Sequence, residues 1–184
     1  MKTYIALLRG INVSGQKKIL MADLKSMFED LGCSSVVTYI QSGNVIFKTE
    51  EKEIKDISAL IKKEILNAFG FDVPVLVLTR KDLVSIYDDN PYLDRIKTEE
   101  MEENKMYFTL LSTTPNPNGV QELLSDSYTP EEFTIINKTV YFYAANGYGR
   151  TKLNNNFFEK KLTSVATTRN LKTVIKLLDL SEMM

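Results

Sequence analysis

The chain has 184 residues, 43% of them hydrophobic and 26% charged, with a formal net charge of −1. This composition excludes a disordered or fibrous protein. The absence of histidine and the single cysteine, Cys33, exclude Ser-His-Asp and Cys-His hydrolysis, histidine-ligated metal sites and an intramolecular disulfide. The N-terminal residues do not resemble a signal peptide, and no apolar run approaches the roughly 18 residues that span a bilayer. We therefore expect a soluble, cytoplasmic protein without a membrane partner.

Residues 1–79 show the element order of a ferredoxin-like subdomain. The pattern predicts a strand at 3–8, a helix at 21–31, strands at 36–41 and 44–48, a helix at 54–69 and a strand at 73–78. Both helices have apolar residues at i, i+3, i+4 and i+7, and each is followed by a glycine. The β-α-β-β-α-β order is that of the split βαβ motif.

Residues 80–104 are interpreted as a connecting helix at 80–88 followed by an acidic linker, and residues 105–184 as a second subdomain. That subdomain has a predicted strand at 106–112, a helix at 119–125, a hairpin at 133–136 and 140–145, and helices at 155–162 and 170–178. The order repeats the first half, with a helical ending in place of its last strand. The sequence thus predicts an α+β fold of duplicated ferredoxin-like halves, with antiparallel sheets and helices on one face of each.

A glycine-bearing, cationic loop follows the first strand. Gly10 and Gly15 have the spacing of a P-loop, but Gln16 and Lys17 occupy its Lys and Ser/Thr positions, so the pattern does not define a true P-loop. Such a loop is either a flexible connection or a looser phosphate or carboxylate site at the start of a helix. The candidate ligand-binding residues in this loop are Arg9, Gly10, Asn12, Gly15 and Lys17.

A polar hairpin tip between the second and third strands is the next candidate. It consists of Gln41, Ser42, Gly43 and Asn44. In a binding site the two amide side chains would be directional donors and acceptors. Alternatively, these residue types stand there because they favour turns.

The second half offers two further segments. A loop with Gly147 and Gly149 precedes a predicted helix, and residues 167–170 precede the last helix, where a threonine would cap the free N–H groups. An arginine at a helix N-terminus opposes the helix dipole, so Arg169 either binds an anion or pairs with a carboxylate. The candidate ligand-binding residues of this half are Arg150, Lys152, Thr168, Arg169 and Asn170.

Basic residues are concentrated near both ends of the chain. Residues 1–20 carry four basic and no acidic residues, and residues 146–184 carry seven basic and three acidic ones. Residues 21–145 carry 12 basic and 21 acidic residues. The basic segments either meet in the fold and form one cationic cleft between the halves, or are separate solvated faces.

The leading functional prediction is the binding of a small anionic ligand, including phosphate-bearing ones, in that cleft, with neither cofactor nor metal. An enzyme acting on a phosphate- or carboxylate-bearing metabolite is an alternative, with Lys17, Lys152 or Tyr148 transferring protons. A second alternative is a protein-interaction module whose motifs are purely structural turns. Nucleic acid is not an expected partner, because Ser42 and Asn44 stand where an RNA-recognition module has stacking rings.

Four segments together resemble the motifs of a bacterial family catalogued as domain of unknown function 1697. They are LLRGINV at 7–13, TYIQSGNVIF at 38–47, TKL at 151–153 and ATTRN at 166–170. The chain departs from that family at Ser14, where a glycine is more common, and at Leu171, where a tryptophan is common. The resemblance implies a duplicated α+β fold with ferredoxin-like subdomains and no assigned activity.

Overall fold

The computed structural model describes residues 1–50 and 53–184. The chain forms two compact units, one of Met1–Val84 with Lys176–Met184 and one of Ser85–Ile175. Each unit is built on a four-stranded antiparallel sheet. The predicted α+β fold of duplicated ferredoxin-like halves is confirmed. No helix in the described part of the chain is long and apolar enough to cross a membrane.

In the first unit, the central strand determines how the sheet is covered. The elements are β1 (Lys2–Leu8), α1 (Met21–Asp30), β2 (Ser34–Tyr39), β3 (Asn44–Thr49), α2 (Ile54–Phe69), β4 (Val75–Thr79) and the start of α3 (Arg80–Asp88). The strand order is β2-β3-β1-β4. Alternate β1 residues Tyr4, Ala6 and Leu8 belong to a core cluster with apolar residues of α1 and α2. Ile5 and Leu7 are also buried, as a strand that is apolar on both faces requires.

The second unit repeats this strand order. Its elements are α4 (Leu93–Lys97), β5 (Met106–Leu111), α5 (Pro117–Ser125), β6 (Glu132–Ile136), β7 (Thr139–Tyr143), α6 (Asn155–Leu162), β8 (Ala166–Asn170) and the start of α7 (Leu171–Glu182). The order is β6-β7-β5-β8, again with the first strand of the unit inside the sheet. The core cluster on one face contains Phe142 and Leu153 together with Phe158 and Leu162 of α6.

The end of the second unit differs from the prediction. Instead of a purely helical ending, residues Ala166–Asn170 form β8, which pairs antiparallel with β5. Thr168 and Arg169 are therefore strand residues, and the residue that caps α7 is Asn170, whose Oδ1 accepts a hydrogen bond from the N–H of Thr173 at 2.9 Å. The segment ATTRN lacks the alternation of apolar and polar residues by which most strands are recognised. Its pairing partner is also distant in sequence, since Thr168 pairs with Thr109, 59 residues earlier.

Helices α5 and α6 approach each other unusually closely at Gly119. A Cβ atom on Gly119 would lie 1.8 Å from the carbonyl oxygen of Lys161. The same end of α5 is held by Asn116, whose side chain accepts hydrogen bonds from the backbone N–H groups of Asn118 and Gly119 and whose own N–H donates to the carbonyl of Leu162 at 2.9 Å. Only glycine fits between these helices.

We predict that Gly119→Ala destabilises the protein by about 3 kcal/mol or more, because the added methyl group forces two backbones apart. Gly149→Ala is the matched control, since a Cβ there has no neighbour within 4 Å. Urea unfolding of both variants measures the difference. Equal midpoints for Gly119→Ala and the wild type would contradict the close approach.

Candidate functional site

The candidate residues fall into one group in each unit. Those at Arg9–Lys17 and Gln41–Asn44 belong to the first unit, and those at Arg150–Asn170 belong to the second.

The loop after β1 forms a small hairpin before the helix starts. The N–H of Asn12 donates to the carbonyl of Lys17 at 3.2 Å, and the N–H of Gln16 donates to the carbonyl of Val13 at 2.9 Å. Ser14 and Gly15 at its tip have φ values of 50° and 75°, which suit a type I′ turn. Helix α1 begins at Met21, as predicted, so residues 18–20 separate this small hairpin from the start of the helix.

The side chain of Asn12 connects this loop to the hairpin tip. Its Nδ2 donates to the carbonyl of Ile19 at 2.9 Å and to the carbonyl of Gln41 at 3.0 Å. Its Oδ1 accepts from the N–H of Ile19 at 2.9 Å. The amide group predicted to bind a ligand thus makes three hydrogen bonds to the protein backbone, and we call this arrangement the Asn12 clamp.

The basic residues of this loop also contact the segment before β4. Lys17 Nζ donates to the carbonyl of Asp72 at 2.6 Å, and the N–H of Arg9 donates to the carbonyl of Pro74 at 3.0 Å. The carboxylate of Asp72 forms an ion pair with Lys62 at 2.8 Å. The hydrogen bond and charge of Lys62, and to a smaller extent the charge of Lys17, lower the pKa of Asp72. The ammonium group of Lys17 is thereby held in place by the fold.

The hairpin tip is also held by internal contacts. Asn44 is fully buried, and its Nδ2 donates to the carbonyl of Tyr39 and to Ser42 Oγ, both at 3.0 Å. Gly43 has a φ of 77°, and a Cβ there would lie 2.7 Å from Leu8 Cβ. Of these candidates only Gln41 has an exposed side chain. Internal satisfaction of this kind is what the interaction-module alternative predicts for the motif loops.

In the second unit, the loop between β7 and α6 presents two cations to solvent. Arg150 and Lys152 are exposed, and neither forms a hydrogen bond through its side chain or an ion pair with another described residue. The backbone is closed by turns, with the N–H of Arg150 donating to the carbonyl of Gly147 at 3.0 Å and the N–H of Asn154 to the carbonyl of Lys152 at 3.0 Å. Asn154 also caps α6 by accepting from the N–H of Phe157.

An aromatic contact holds the same loop against the sheet. The rings of Tyr148 and Tyr107 stack with their centroids 4.7 Å apart, and Tyr148 also packs edge-on against Phe142. Burial, and secondarily the nearby hydroxyl of Tyr148, raises the pKa of Tyr107. From the sequence, Tyr148 was a candidate only for proton transfer, and Tyr107 gave no signal because its stacking partner lies 41 residues away.

The β8 candidates have structural partners in the second unit. Thr168 Oγ1 lies 2.7 Å from Thr109 Oγ1 and donates to Asn155 Oδ1 at 2.7 Å. Arg169 is only 9% exposed, and its Nη1 donates to the carbonyl of Thr168 at 2.9 Å. Removal of water around the guanidinium lowers the pKa of Arg169 to about 10, against a smaller opposing effect of Tyr148. This side chain is a buried cation, which is costly unless it is well hydrogen-bonded.

Two surface recesses of the second unit are lined by none of the candidate residues. One, of about 500 Å³, is lined by residues that include Asn116, Phe157 and Lys160. The other, of about 760 Å³, is lined by residues that include Ile96, Met101 and Glu102. Among the described residues, no three His, Cys, Asp or Glu side chains are placed to hold a metal ion.

The fold and its motif loops define a duplicated α+β protein with two ferredoxin-like units. The family model described as "Protein of unknown function (DUF1697)" matches residues 1–141, and the chain belongs to this family. The TKL and ATTRN segments lie beyond the matched residues.

Among solved structures, the chain is similar to the conserved bacterial protein SP0830 from Streptococcus pneumoniae. The two share 21% sequence identity and a TM-score of 0.73, over 97% of this chain and 98% of that one. At this identity, the similarity supports the fold alone. No protein in the curated set matches the chain.

We predict that Gly43→Ala is more destabilising than Gly10→Ala by about 1–3 kcal/mol. Both glycines have positive φ, at 77° and 73°, so alanine would cause a similar backbone strain energy at each position. Only at Gly43 does the new methyl group also meet Leu8 and Ile11, since nothing lies within 4 Å of a Cβ at Gly10. Thermal or urea unfolding measures the difference, and equal losses in the two variants would refute the close contact.

Proposed function

We propose that the protein binds a small anionic ligand, of the phosphate- or carboxylate-bearing class, at the loop between β7 and α6. The observation that supports this most directly is the pair of exposed cations, Arg150 and Lys152, neither of which is neutralised by another described residue. Exposed cations two residues apart attract an anion, and they require no internal bond to be broken before it binds.

The loop combines two kinds of hydrogen-bond donor to an anion. The guanidinium of Arg150 is a planar fork that can bind two oxygens of one oxyanion, whereas the ammonium of Lys152 acts as a compact point charge. Thr151 lies between them, and its Oγ1 accepts from the N–H of Leu153 at 3.0 Å. This bond and the turns of the loop restrict the backbone, so less conformational freedom is lost when a ligand binds.

Arg169 contributes through its charge in this proposal. Its guanidinium is buried close enough to Tyr148 for the two to interact electrostatically. A cation in a poorly hydrated position is weakly screened and raises the electrostatic potential around it. Thr168 and Asn170 then act as positioning residues, since their side chains hold β8 and the start of α7.

The first-unit candidates have a weaker case as ligand donors, because the side chains of Asn12, Lys17 and Asn44 already bind the protein. A role for Arg9, Gly10, Gly15 and Gln41 in binding the same ligand stays a prediction. A cytoplasmic location also stays a prediction.

The proposal is tested by a thermal-shift screen against inorganic phosphate, nucleotides, sugar phosphates and organic acids. A true ligand at 100 times its Kd stabilises the folded protein by about 2.7 kcal/mol. Arg150→Ala and Lys152→Ala should each weaken its affinity roughly tenfold or more, since a charge-assisted hydrogen bond contributes about 1.5–3 kcal/mol. Lys138→Ala is the matched control, because Lys138 is another exposed cation of the same unit whose side chain has no partner among the described residues.

If no anion raises the melting temperature, or if a shift survives in both loop variants, the proposed site is wrong. An Arg9→Ala variant in the same screen tests the prediction for the first unit. Loss of the shift in Arg9→Ala alone would move the site to the first unit.

A further inference from the structure

Three large apolar side chains of the first unit are strongly exposed around one point of its surface. Val13 is 57% exposed, Leu20 71% and Ile40 49%. Each is the chain neighbour of a residue joined by the Asn12 clamp, namely Asn12 itself, Ile19 and Gln41.

Because consecutive Cα atoms are about 3.8 Å apart, these three residues lie around the same amide group. We call Val13, Leu20 and Ile40 the apolar tip. Their grouping is fixed by side-chain hydrogen bonds, so it does not depend on the path of a loose loop.

Two members of the apolar tip occupy positions where a polar residue would stabilise the fold better. Ile40 has a φ of 47°, a left-handed conformation that is strained for a β-branched residue and favours Gly, Asn or Asp. Leu20 is the N-cap of α1 and forms no side-chain cap, where Ser, Thr, Asp or Asn would satisfy a free N–H group. Burial does not offset the backbone strain at Ile40 or the missing cap at Leu20, because both side chains are exposed. A contact with another molecule accounts for an apolar residue at each of these positions.

The surroundings of the apolar tip are basic. The loop that carries Val13 and Leu20 has three basic residues, Arg9, Lys17 and Lys18, and no acidic one, whereas Lys2 lies at the far end of β1. Lys18 is exposed and forms no ion pair with another described residue. Asp72, which lies beside Lys17, is already paired with Lys62, and the first acidic residue along the chain is Asp23 in the first turn of α1.

We propose that the apolar tip is a docking surface for an acidic, amphipathic segment of a partner protein, whose apolar side chains cover the tip while its carboxylates face Lys18. Charge complementarity selects this occupant. A second copy of this chain would present the same cations at the same place and would be repelled. The surface lies in the first unit and does not depend on the proposed anion site of the second.

The test is a selection of random 12-residue peptides displayed on phage, with the full-length wild-type protein as bait and the double variant Leu20→Ser/Ile40→Asn as the negative bait. We expect the enriched peptides to combine an excess of Asp and Glu with large apolar residues. A synthetic enriched peptide should bind the wild type in fluorescence anisotropy, with a Kd at least tenfold larger for the double variant and for Lys18→Glu. Leu124→Ser is the control, because Leu124 is 60% exposed in the second unit, and its Kd should be unchanged.

The melting temperature of the double variant distinguishes docking from a structural role. Serine can cap α1 and asparagine tolerates positive φ, so the variant should melt no lower than the wild type while losing the peptide. A lower melting temperature, peptides without acidic excess, no enrichment over the negative bait, or equal affinity for both proteins would overturn the proposal. So would a wild-type dimer in sedimentation that the double variant lacks, since a second copy would then be the occupant.

Discussion

The side chain of Asn12 is the contact on which the loops of the first unit depend. The connection between β1 and α1 is too short and too polar to form a core of its own, and its backbone groups need partners. One amide group provides partners for both backbone groups of Ile19 and also binds the carbonyl of Gln41 in the β2–β3 turn. The turn is in contact with β1 as well, because the N–H of Leu8 donates to the carbonyl of Gly43 at 2.8 Å. The side chains that project from both loops therefore have fixed positions.

The second unit has the same strand order but stabilises its loops differently. A chain of hydroxyl and amide groups, Thr109, Thr168 and Asn155, links β5, β8 and the start of α6. A stacked pair of tyrosines holds the loop before α6 against the sheet. What this scaffold presents to solvent is a pair of cations, whereas the first unit presents an apolar tip beside lysines. One duplicated fold thus carries two surfaces with different chemistry, which is why we assign them different ligands.

The sequence predicted the elements best where periodicity and capping agree. The bounds of α2 and α3 match the prediction because α2 has a continuous apolar stripe ended by Gly70, and α3 ends shortly before Pro91. Strand β8 was missed because Thr and Arg give no alternation, so its identity depends on pairing with β5.

The candidate residues were found by type, but their roles depend on partners far away in sequence. Asn12 binds a carbonyl 29 residues away, Lys17 binds one 55 residues away, and the crowding at Gly43 comes from Leu8 and Ile11. No local pattern reports such contacts. Arg150 and Lys152 could be identified as candidates from the sequence, because both are exposed in a glycine-bearing loop and neither side chain has a partner among the described residues.

Hydrogen exchange at the amide of Ile19 tests the Asn12 clamp most directly. In the wild type this N–H donates to Asn12 Oδ1, and we predict that Asn12→Ala speeds its exchange about tenfold or more, as expected from the roughly 1–3 kcal/mol cost of losing a partner of this kind. The amide of Thr173, held in the same way by Asn170, is the internal reference and should be unchanged. An Ile19 amide that exchanges equally slowly in Asn12→Ala would contradict the account.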